Sequence, residues 1–143
     1  MRTLLALGLV ATVFGAYVVA DDKKDPTTGK WVLESVTRDG KPNDALKGAT
    51  REHADGKYTL TPAKDSKAAP TTGTYTLDTT KSPITIDIKP KGGTYDGKTL
   101  LGIAKLDGDT LTVAFAEPGK DRPTKFESAE GSGIVVAVHK KAK

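Results

Sequence analysis

The loop from 117 to 123 brings together the side chains best suited to chemistry. It carries two carboxylates and an arginine, Glu117, Asp121 and Arg122, between prolines and a glycine. Two carboxylates could act as the acid and base of a hydrolase. Arg122 could instead clamp an acidic group with its planar fork of donors. Carboxylates in solvated turns more often form structural ion pairs, here between Arg122 and Glu117 or Asp121. We therefore predict no catalytic residue. Arg122 remains a candidate ligand-binding residue.

Metal binding and thiol chemistry find little support in the sequence. The chain has no cysteine, and His53 and His139 are its only histidines. Neither histidine has neighbours at metal-ligand spacing. Asp107 and Asp109 would offer too few oxygens for calcium, and an Asp-Gly-Asp segment is typical of a turn. We therefore predict no metal and no cofactor, and we expect His139, which precedes the lysines at the chain end, to be exposed.

Aromatic side chains are the second set of candidates. They can line an apolar ligand cavity or simply fill a core, and a barrel of eight strands has room for either arrangement. Together with Arg122, the candidate ligand-binding residues are Trp31, Tyr58, Tyr75, Phe115 and Phe126.

The segments that must position these residues alternate with a period of two. Residues 84–89 place three isoleucines on one face and Thr85, Asp87 and Lys89 on the other, as in a strand with one wet face. Residues 100–106 and 111–116 flank an Asp-Gly turn and predict a hairpin. The last strand is predicted over 134–140. Weaker strand patterns predict strands over 31–37, 57–61 and 72–78. Residues 48–54 are a candidate strand that would pair with 57–61, and residues 43–47 are a candidate helical turn.

The number and spacing of these strands set the fold class. Seven to nine short strands separated by turn residues, with no sustained helical period, predict an all-β domain. Parallel βαβ units are excluded because crossover helices are missing. A sandwich and a closed barrel both fit the pattern.

The amino terminus predicts export. Arg2, an apolar run to Val19 and the small residue Ala20 are typical of a cleavable signal peptide over 1–20. Residues 21–28 are predicted to be a flexible lead-in, and 29–143 the folded domain. The protein would then be periplasmic or extracellular, with no membrane span after cleavage. The alternative is an uncleaved amino-terminal segment that tethers the domain to a membrane.

The net charge of +4 does not indicate nucleic-acid binding. Lysines are interleaved with aspartates along the chain, and the one basic cluster, at 139–143, contains no aromatic residue for stacking. That tail is typical of a solvated chain end. No oligomeric state is predicted.

Several motifs resemble a family of uncharacterised, exported planctomycete proteins with a lipocalin-like domain. The resemblance covers most of the chain after residue 28, in order, and is most specific from Leu106 to Phe126. The other matching pieces are Gly29-Lys30-Trp31, Gly40-Lys41-Pro42, Gly73-Thr74-Tyr75, Pro83 with Ile86-Asp87, Gly97 to Ile103, and Gly131-Ser132-Gly133. The chain departs from the family at Ala104, where an aromatic residue is usual, and at Ala114, where a cysteine is frequent.

The resemblance implies a fold but no reaction. It implies a single antiparallel up-and-down β-barrel of about eight strands. It also parallels true lipocalins, in which a Gly-x-Trp opens the first strand and a basic residue packs on the indole. Trp31 would be that anchor, with Lys140 or Arg122 as the cation, a contact worth about 0.5–2 kcal/mol.

We therefore expect a non-catalytic barrel that binds a small apolar or amphipathic ligand, or a cell-envelope partner. One alternative is a structural or interaction module with a solid core. The other is a loop-borne hydrolase that uses Glu117 and Asp121.

Overall fold

The structure, a computed structural model, describes residues 25–143. The predicted signal peptide lies outside the described residues. The strands are β1 (Gly29–Arg38), β2 (Lys41–Pro42), β3 (Thr50–Ala54), β4 (Lys57–Thr61), β5 (Thr71–Asp78), β6 (Ile84–Lys91), β7 (Leu100–Asp107), β8 (Thr110–Phe115) and β9 (Val135–Lys141). Within this range no helix has the length and hydropathy needed to cross a bilayer.

The strands form one closed antiparallel barrel. Each strand from β3 to β9 pairs with the next along the chain, β1 pairs with β3, and β9 returns to pair with β1. Eight strands make the wall, because β2 is only a two-residue partner of the end of β1. The predicted all-β, up-and-down barrel is confirmed, and closure leaves β1 and β9 paired with each other rather than exposed as edges.

Local sequence explains the clearest strands and turns. In β6 the isoleucines face the barrel interior, with Ile86 and Ile88 buried. The β7–β8 hairpin pairs Asp107 with Thr110 and therefore turns on Gly108 and Asp109. Gly108 has a φ of +62°, which the first central position of a two-residue hairpin turn requires and glycine adopts without steric cost.

The weaker sequence signals also correspond to elements. β3 occupies all but the first two residues of the 48–54 segment and pairs with β4 through the turn at Asp55-Gly56. The predicted helical turn is a single turn of 3-10 helix, Asp44–Leu46, capped by the Asn43 side chain, which accepts a hydrogen bond from the Ala45 amide. The 3-10 turn therefore lies in the connection between β1 and β3, which pair with each other in the wall.

The segment just before β1 is packed rather than loose. Residues 21–28 are the predicted lead-in, and within the described part of it Thr27 is completely buried. The Thr27 carbonyl accepts a hydrogen bond from the Trp31 indole nitrogen at 2.9 Å, and its hydroxyl lies 2.8 Å from His53. These contacts lie at the end of the barrel where β1 begins and β3 ends, which we call the closed end; the opposite end, where β1 ends and β9 begins, is called the mouth.

Two glycines inside the barrel make room for aromatic rings. Gly73 is the cross-strand partner of Tyr58, and Gly102 is the partner of Phe115. A Cβ atom at Gly73 would stand 2.6 Å from the Tyr58 ring, and one at Gly102 would stand 2.6 Å from the Ala114 carbonyl oxygen and closer still to the Phe115 ring. Aromatic rings therefore lie flat over glycine and extend toward the middle of the barrel.

Candidate ligand-binding site

A cavity of about 380 Å³ occupies the mouth of the barrel. This volume lies at the lower end of the range of about 300–1,000 Å³ that small-molecule sites occupy. Its walls come from interior-facing side chains of β4, β6, β7, β8 and β9. The apolar and aromatic lining residues are Tyr58, Leu60, Ile88, Pro90, Tyr95, Leu100, Phe115 and Val135.

The buried end of the cavity carries a positive charge. Arg51 of β3 lines the cavity and is only 8% exposed. The centre of its guanidinium lies 4.5 Å from the Tyr58 ring and 5.8 Å from the Phe115 ring, so two cavity walls hold the cation in place. Burial lowers the pKa of Arg51 to about 10, which leaves the group charged at neutral pH.

A chain of hydrogen bonds orients Arg51 from the closed end. Arg51 Nε donates to His53 Nε2 at 2.8 Å. Because an arginine nitrogen can only donate, His53 Nε2 must be unprotonated, and the ring proton of neutral His53 lies on Nδ1. Nδ1 then donates to the Thr27 hydroxyl, which donates to Asp25 Oδ1 at 2.6 Å. Tyr75 donates to the other oxygen of Asp25.

The pKa values of this chain agree with that proton arrangement. Burial, together with the charge of Arg51, lowers the pKa of His53 to about 3. Burial opposes ionisation of Asp25, yet the hydrogen bonds from Thr27 and Tyr75 bring its pKa below the usual value. Burial and the bond to Asp25 raise the pKa of Tyr75. The chain therefore runs from a cation at Arg51 through neutral His53 to an anion at Asp25.

Two buried polar atoms beside this chain lack partners. Among the described residues, Arg51 Nη2 and His139 Nε2 are buried without a hydrogen bond. His139 is 1% exposed, and its Nδ1 lies 3.1 Å from the Leu111 carbonyl oxygen. Burial lowers the pKa of His139 to about 4, helped by the nearby charge of Arg51. Native proteins rarely leave buried polar atoms unpaired, so these two atoms are the part of the polar cluster whose hydrogen bonding the protein itself leaves incomplete.

The rim of the mouth carries a second arginine that is already engaged. Arg38 Nη2 donates to the Tyr95 hydroxyl at 2.9 Å and to Glu117 Oε2 at 3.1 Å. The bond to Tyr95 raises the pKa of Arg38, and Glu117 adds to this effect. The rim therefore presents a paired, nearly neutral group, whereas the interior presents Arg51.

Neither a comparison with the profiles of known protein families nor a search of curated proteins finds a match to this chain. The residues of the candidate site are therefore defined by the geometry of the cavity. Of the predicted aromatic candidates, Tyr58 and Phe115 line the cavity. Trp31 and Tyr75 lie at the closed end, where Trp31 is bonded to Thr27 and the Tyr75 ring stacks on His53 with centroids 4.3 Å apart.

Arg122 and Phe126 lie away from the cavity. Arg122 Nη1 donates to Asp87 at 2.6 Å and to the Gly102 carbonyl at 2.8 Å. The ion pair expected within the loop is therefore absent, since Arg122 pairs with Asp87 and Glu117 pairs with Arg38. The ring of Phe126 lies 4.7 Å from the Lys105 ammonium, on the outward face of β7.

Two expectations for the last strand are corrected. His139 was expected to be exposed but faces the interior, because it shares a face of β9 with buried Ala137. The cation over Trp31 is Lys141, whose ammonium lies 4.7 Å from the ring, and not Lys140 or Arg122. Lys141 is the cross-strand partner of Trp31, whereas Lys140 points outward and donates to Thr110.

Sequence reasoning missed Arg51 because β3 has no apolar face. Its two faces carry Arg51 and His53 on one side, and Thr50, Glu52 and Ala54 on the other. In a closed barrel one of these faces must point inward. If the barrel is assumed to close, either the face with Arg51 and His53 or the face with Thr50, Glu52 and Ala54 points inward. That constraint could have identified Arg51 and His53 as candidates.

A larger cleft, of about 450 Å³, lies on the outer surface and has a different character. Its walls are mostly outward-facing side chains of β4, β5 and β6, among them Lys57, Thr72 and Lys91, which are exposed. Solvated lysines and threonines are typical of an ordinary strand surface. Among the described residues, no group of three or more His, Cys, Asp or Glu side chains could hold a metal ion.

Proposed function

We propose that this protein is a non-catalytic barrel that binds a small apolar or amphipathic molecule in the cavity at its mouth. The observation that carries the proposal is an apolar-walled space of about 380 Å³ inside the barrel, which contains the buried Arg51. A barrel with a completely packed interior, the solid-core alternative, would have no such space. The loop-borne hydrolase has less support, because Glu117 is paired with Arg38 and Asp121 is exposed.

The cavity can supply useful binding energy. Each methylene group that leaves water contributes about 0.8 kcal/mol, so eight of them contribute about 6 kcal/mol before the cost of association. The largest wall residues, Tyr58 and Phe115, are held over glycines, so the walls change little when a ligand enters. Even without the cost of association, about 6 kcal/mol corresponds to a Kd of tens of micromolar, so we expect simple apolar compounds to bind no more tightly than this.

The test uses the neutral fluorescent probe N-phenyl-1-naphthylamine, whose emission rises in apolar surroundings. We expect saturable binding to the protein comprising residues 21–143. Leu60→Trp would fill part of the cavity and weaken binding about tenfold or more, which is at least 1.4 kcal/mol. The matched control is Thr61→Trp on the exposed, outward side of the same strand, which should bind like the parent.

The outcomes separate the alternatives. No saturable binding by the parent protein would favour the solid-core module. Equal weakening by Leu60→Trp and Thr61→Trp would place the probe somewhere other than the cavity. Circular dichroism spectra of both variants check that the barrel is intact.

We also propose that the chain is exported through its amino-terminal segment. The support is the sequence pattern of residues 1–20. The test is amino-terminal sequencing of the protein recovered from the cell envelope. A chain that starts at Asp21 supports cleavage and export, whereas an intact amino terminus in the membrane fraction supports the tethered alternative.

A further inference from the structure

We infer that the ligand is an amphipathic monocarboxylate, bound with its carboxylate on Arg51 and its apolar body toward the mouth. This inference rests on the proposed function, since it assigns a ligand class to the same cavity. Arg51 is a buried cation in a cavity with apolar walls. The two ion pairs among the described residues are Arg38–Glu117 and Arg122–Asp87, so Arg51 has no direct carboxylate partner.

Leaving a buried charge in that state is costly unless something compensates it. The hydrogen-bonded chain to Asp25 compensates the charge of Arg51 only in part, because it engages Arg51 Nε and does so through neutral His53. The Nη2 donor is still unpartnered and shielded from water. An uncompensated buried charge is destabilising, and an anionic ligand that pairs with Arg51 would recover much of that loss.

The guanidinium is held in one orientation before any ligand arrives. The bond to His53 fixes one edge, and the rings of Tyr58 and Phe115 hold it on either side of the cavity. A preorganised donor loses little side-chain freedom on binding, and arginine matches a planar carboxylate by two parallel hydrogen bonds. Arg51 is therefore suited to a carboxylate more than to a hydroxyl or an amide.

Charge balance selects a monoanion. One arginine supplies one positive charge, and the other arginine near the cavity, Arg38, is already paired with Glu117 at the rim. A phosphate monoester carries about −1.5 to −2 charges at neutral pH and would bring excess negative charge into an apolar space. A carboxylate carries a single charge and matches Arg51.

The shape of the cavity sets the orientation of the ligand. The side walls Leu60, Ile88, Leu100 and Val135 are aliphatic, whereas Arg51 lies at the buried end. A head group on Arg51 therefore leaves its chain among these four residues, pointing to the rim. The ligand has one acidic end and an apolar body.

The experiment compares decanoate with decanol, which share a chain and differ in the head group. Both are titrated as competitors of N-phenyl-1-naphthylamine at pH 7.5. We expect decanoate to bind about tenfold or more tightly than decanol, which corresponds to one good charge-assisted contact. Octyl phosphate should bind more weakly than octanoate.

Matched arginine variants locate the preference. Arg51→Met should remove the preference for decanoate while decanol still competes. Arg122→Met, the same substitution at an arginine outside the cavity, should keep the preference. Arg51→Met changes a buried residue and can disturb the folding of the variant. A second measurement therefore uses the parent protein and decanoate labelled with ¹³C at the carboxyl carbon.

The bound carboxyl should stay ionised, with no chemical-shift titration between pH 5.5 and 8, because Arg51 stabilises its charge. A bound carboxyl that titrates in this range would overturn the inference, since apolar burial alone raises a carboxyl pKa. Equal affinities for decanoate and decanol, or tighter binding of octyl phosphate, would also overturn it and leave the proposed function standing. Failure of the probe and of both competitors to bind would overturn both.

Discussion

Arg51 and His53 lie two residues apart on β3, and their side chains meet inside the barrel through a 2.8 Å hydrogen bond. This contact fixes the tautomer of His53 and the orientation of Arg51 at once. It joins the closed end, where Thr27 and Asp25 pack, to the cavity at the mouth. The buried polar chain that packs the closed end therefore also orients the arginine of the proposed binding cavity.

Removing the Thr27 hydroxyl should destabilise the barrel. Thr27→Val keeps the shape of the side chain but breaks its bonds to His53 and Asp25. A buried partner left unpaired costs about 1–3 kcal/mol. Urea unfolding followed by Trp31 fluorescence measures the change in the free energy of unfolding. Thr76→Val on the exposed face of β5 is the control, and a surface change of this kind should stay within about 0.5 kcal/mol.

The two buried histidines should make the protein sensitive to mild acid. Both have pKa values lowered on folding, to about 3 for His53 and about 4 for His139, from 6.5 in the unfolded chain. Below pH 6.5 the unfolded state binds protons that the folded state does not, so stability is fully present above pH 6.5 and falls as the pH is lowered. Each histidine contributes a slope of about 1.4 kcal/mol per pH unit, or about 2.7 together near pH 5.

Urea unfolding at several pH values between 4 and 8 measures this slope. His139→Met should reduce it by about half near pH 5, because only His53 then titrates. The Asp25 carboxyl interferes little near pH 5, since its unfolded pKa is 3.8 and its folded pKa is lower, so its contribution is lost mainly as the pH approaches 4 and falls below it. A slope that His139→Met leaves unchanged would contradict the assignment.

A methyl group at Gly102 should disturb the cavity wall. The ring of Phe115 lies over this glycine, and a Cβ would also stand 2.6 Å from the Ala114 carbonyl oxygen. Overpacking of this kind costs about 1–3 kcal/mol. We expect Gly102→Ala to destabilise the protein and to weaken binding of N-phenyl-1-naphthylamine. In a Phe115→Leu background the same change should cost less, and a double-mutant cycle with strictly additive costs would show that the ring does not cause the effect.

The barrel was predictable from local patterns, whereas the site was not. Ile84, Ile86 and Ile88 alternate with polar residues, and the Asp-Gly turns fix hairpins within a few residues of sequence. Arg51 and Thr27 depend on closure, since Arg51 faces inward only when β3 has neighbours on both sides and Thr27 is buried only against His53. No local pattern carries that information.

Strand register limited the prediction of the cation on the Trp31 ring in the same way. The pairing of β9 with β1 shifts by one residue between Leu33 and Ser35. Such a shift decides which lysine reaches the Trp31 ring, because neighbouring residues of a strand point to opposite faces. The sequence offered Lys140, and the register selects Lys141.

The contact between Lys141 and Trp31 can be tested against its immediate neighbour. Lys141→Met removes the ammonium 4.7 Å from the indole and should destabilise the barrel by about 0.5–1 kcal/mol, as expected for a cation–π contact at an exposed lysine. Lys140→Met removes the same charge from the outward face, where the ammonium bonds to Thr110, and should cost less. Because Trp31 is the only tryptophan, its emission spectrum should shift in the first variant and stay constant in the second. Equal losses in both variants would mean that net charge near the chain end, and not the indole contact, sets the effect.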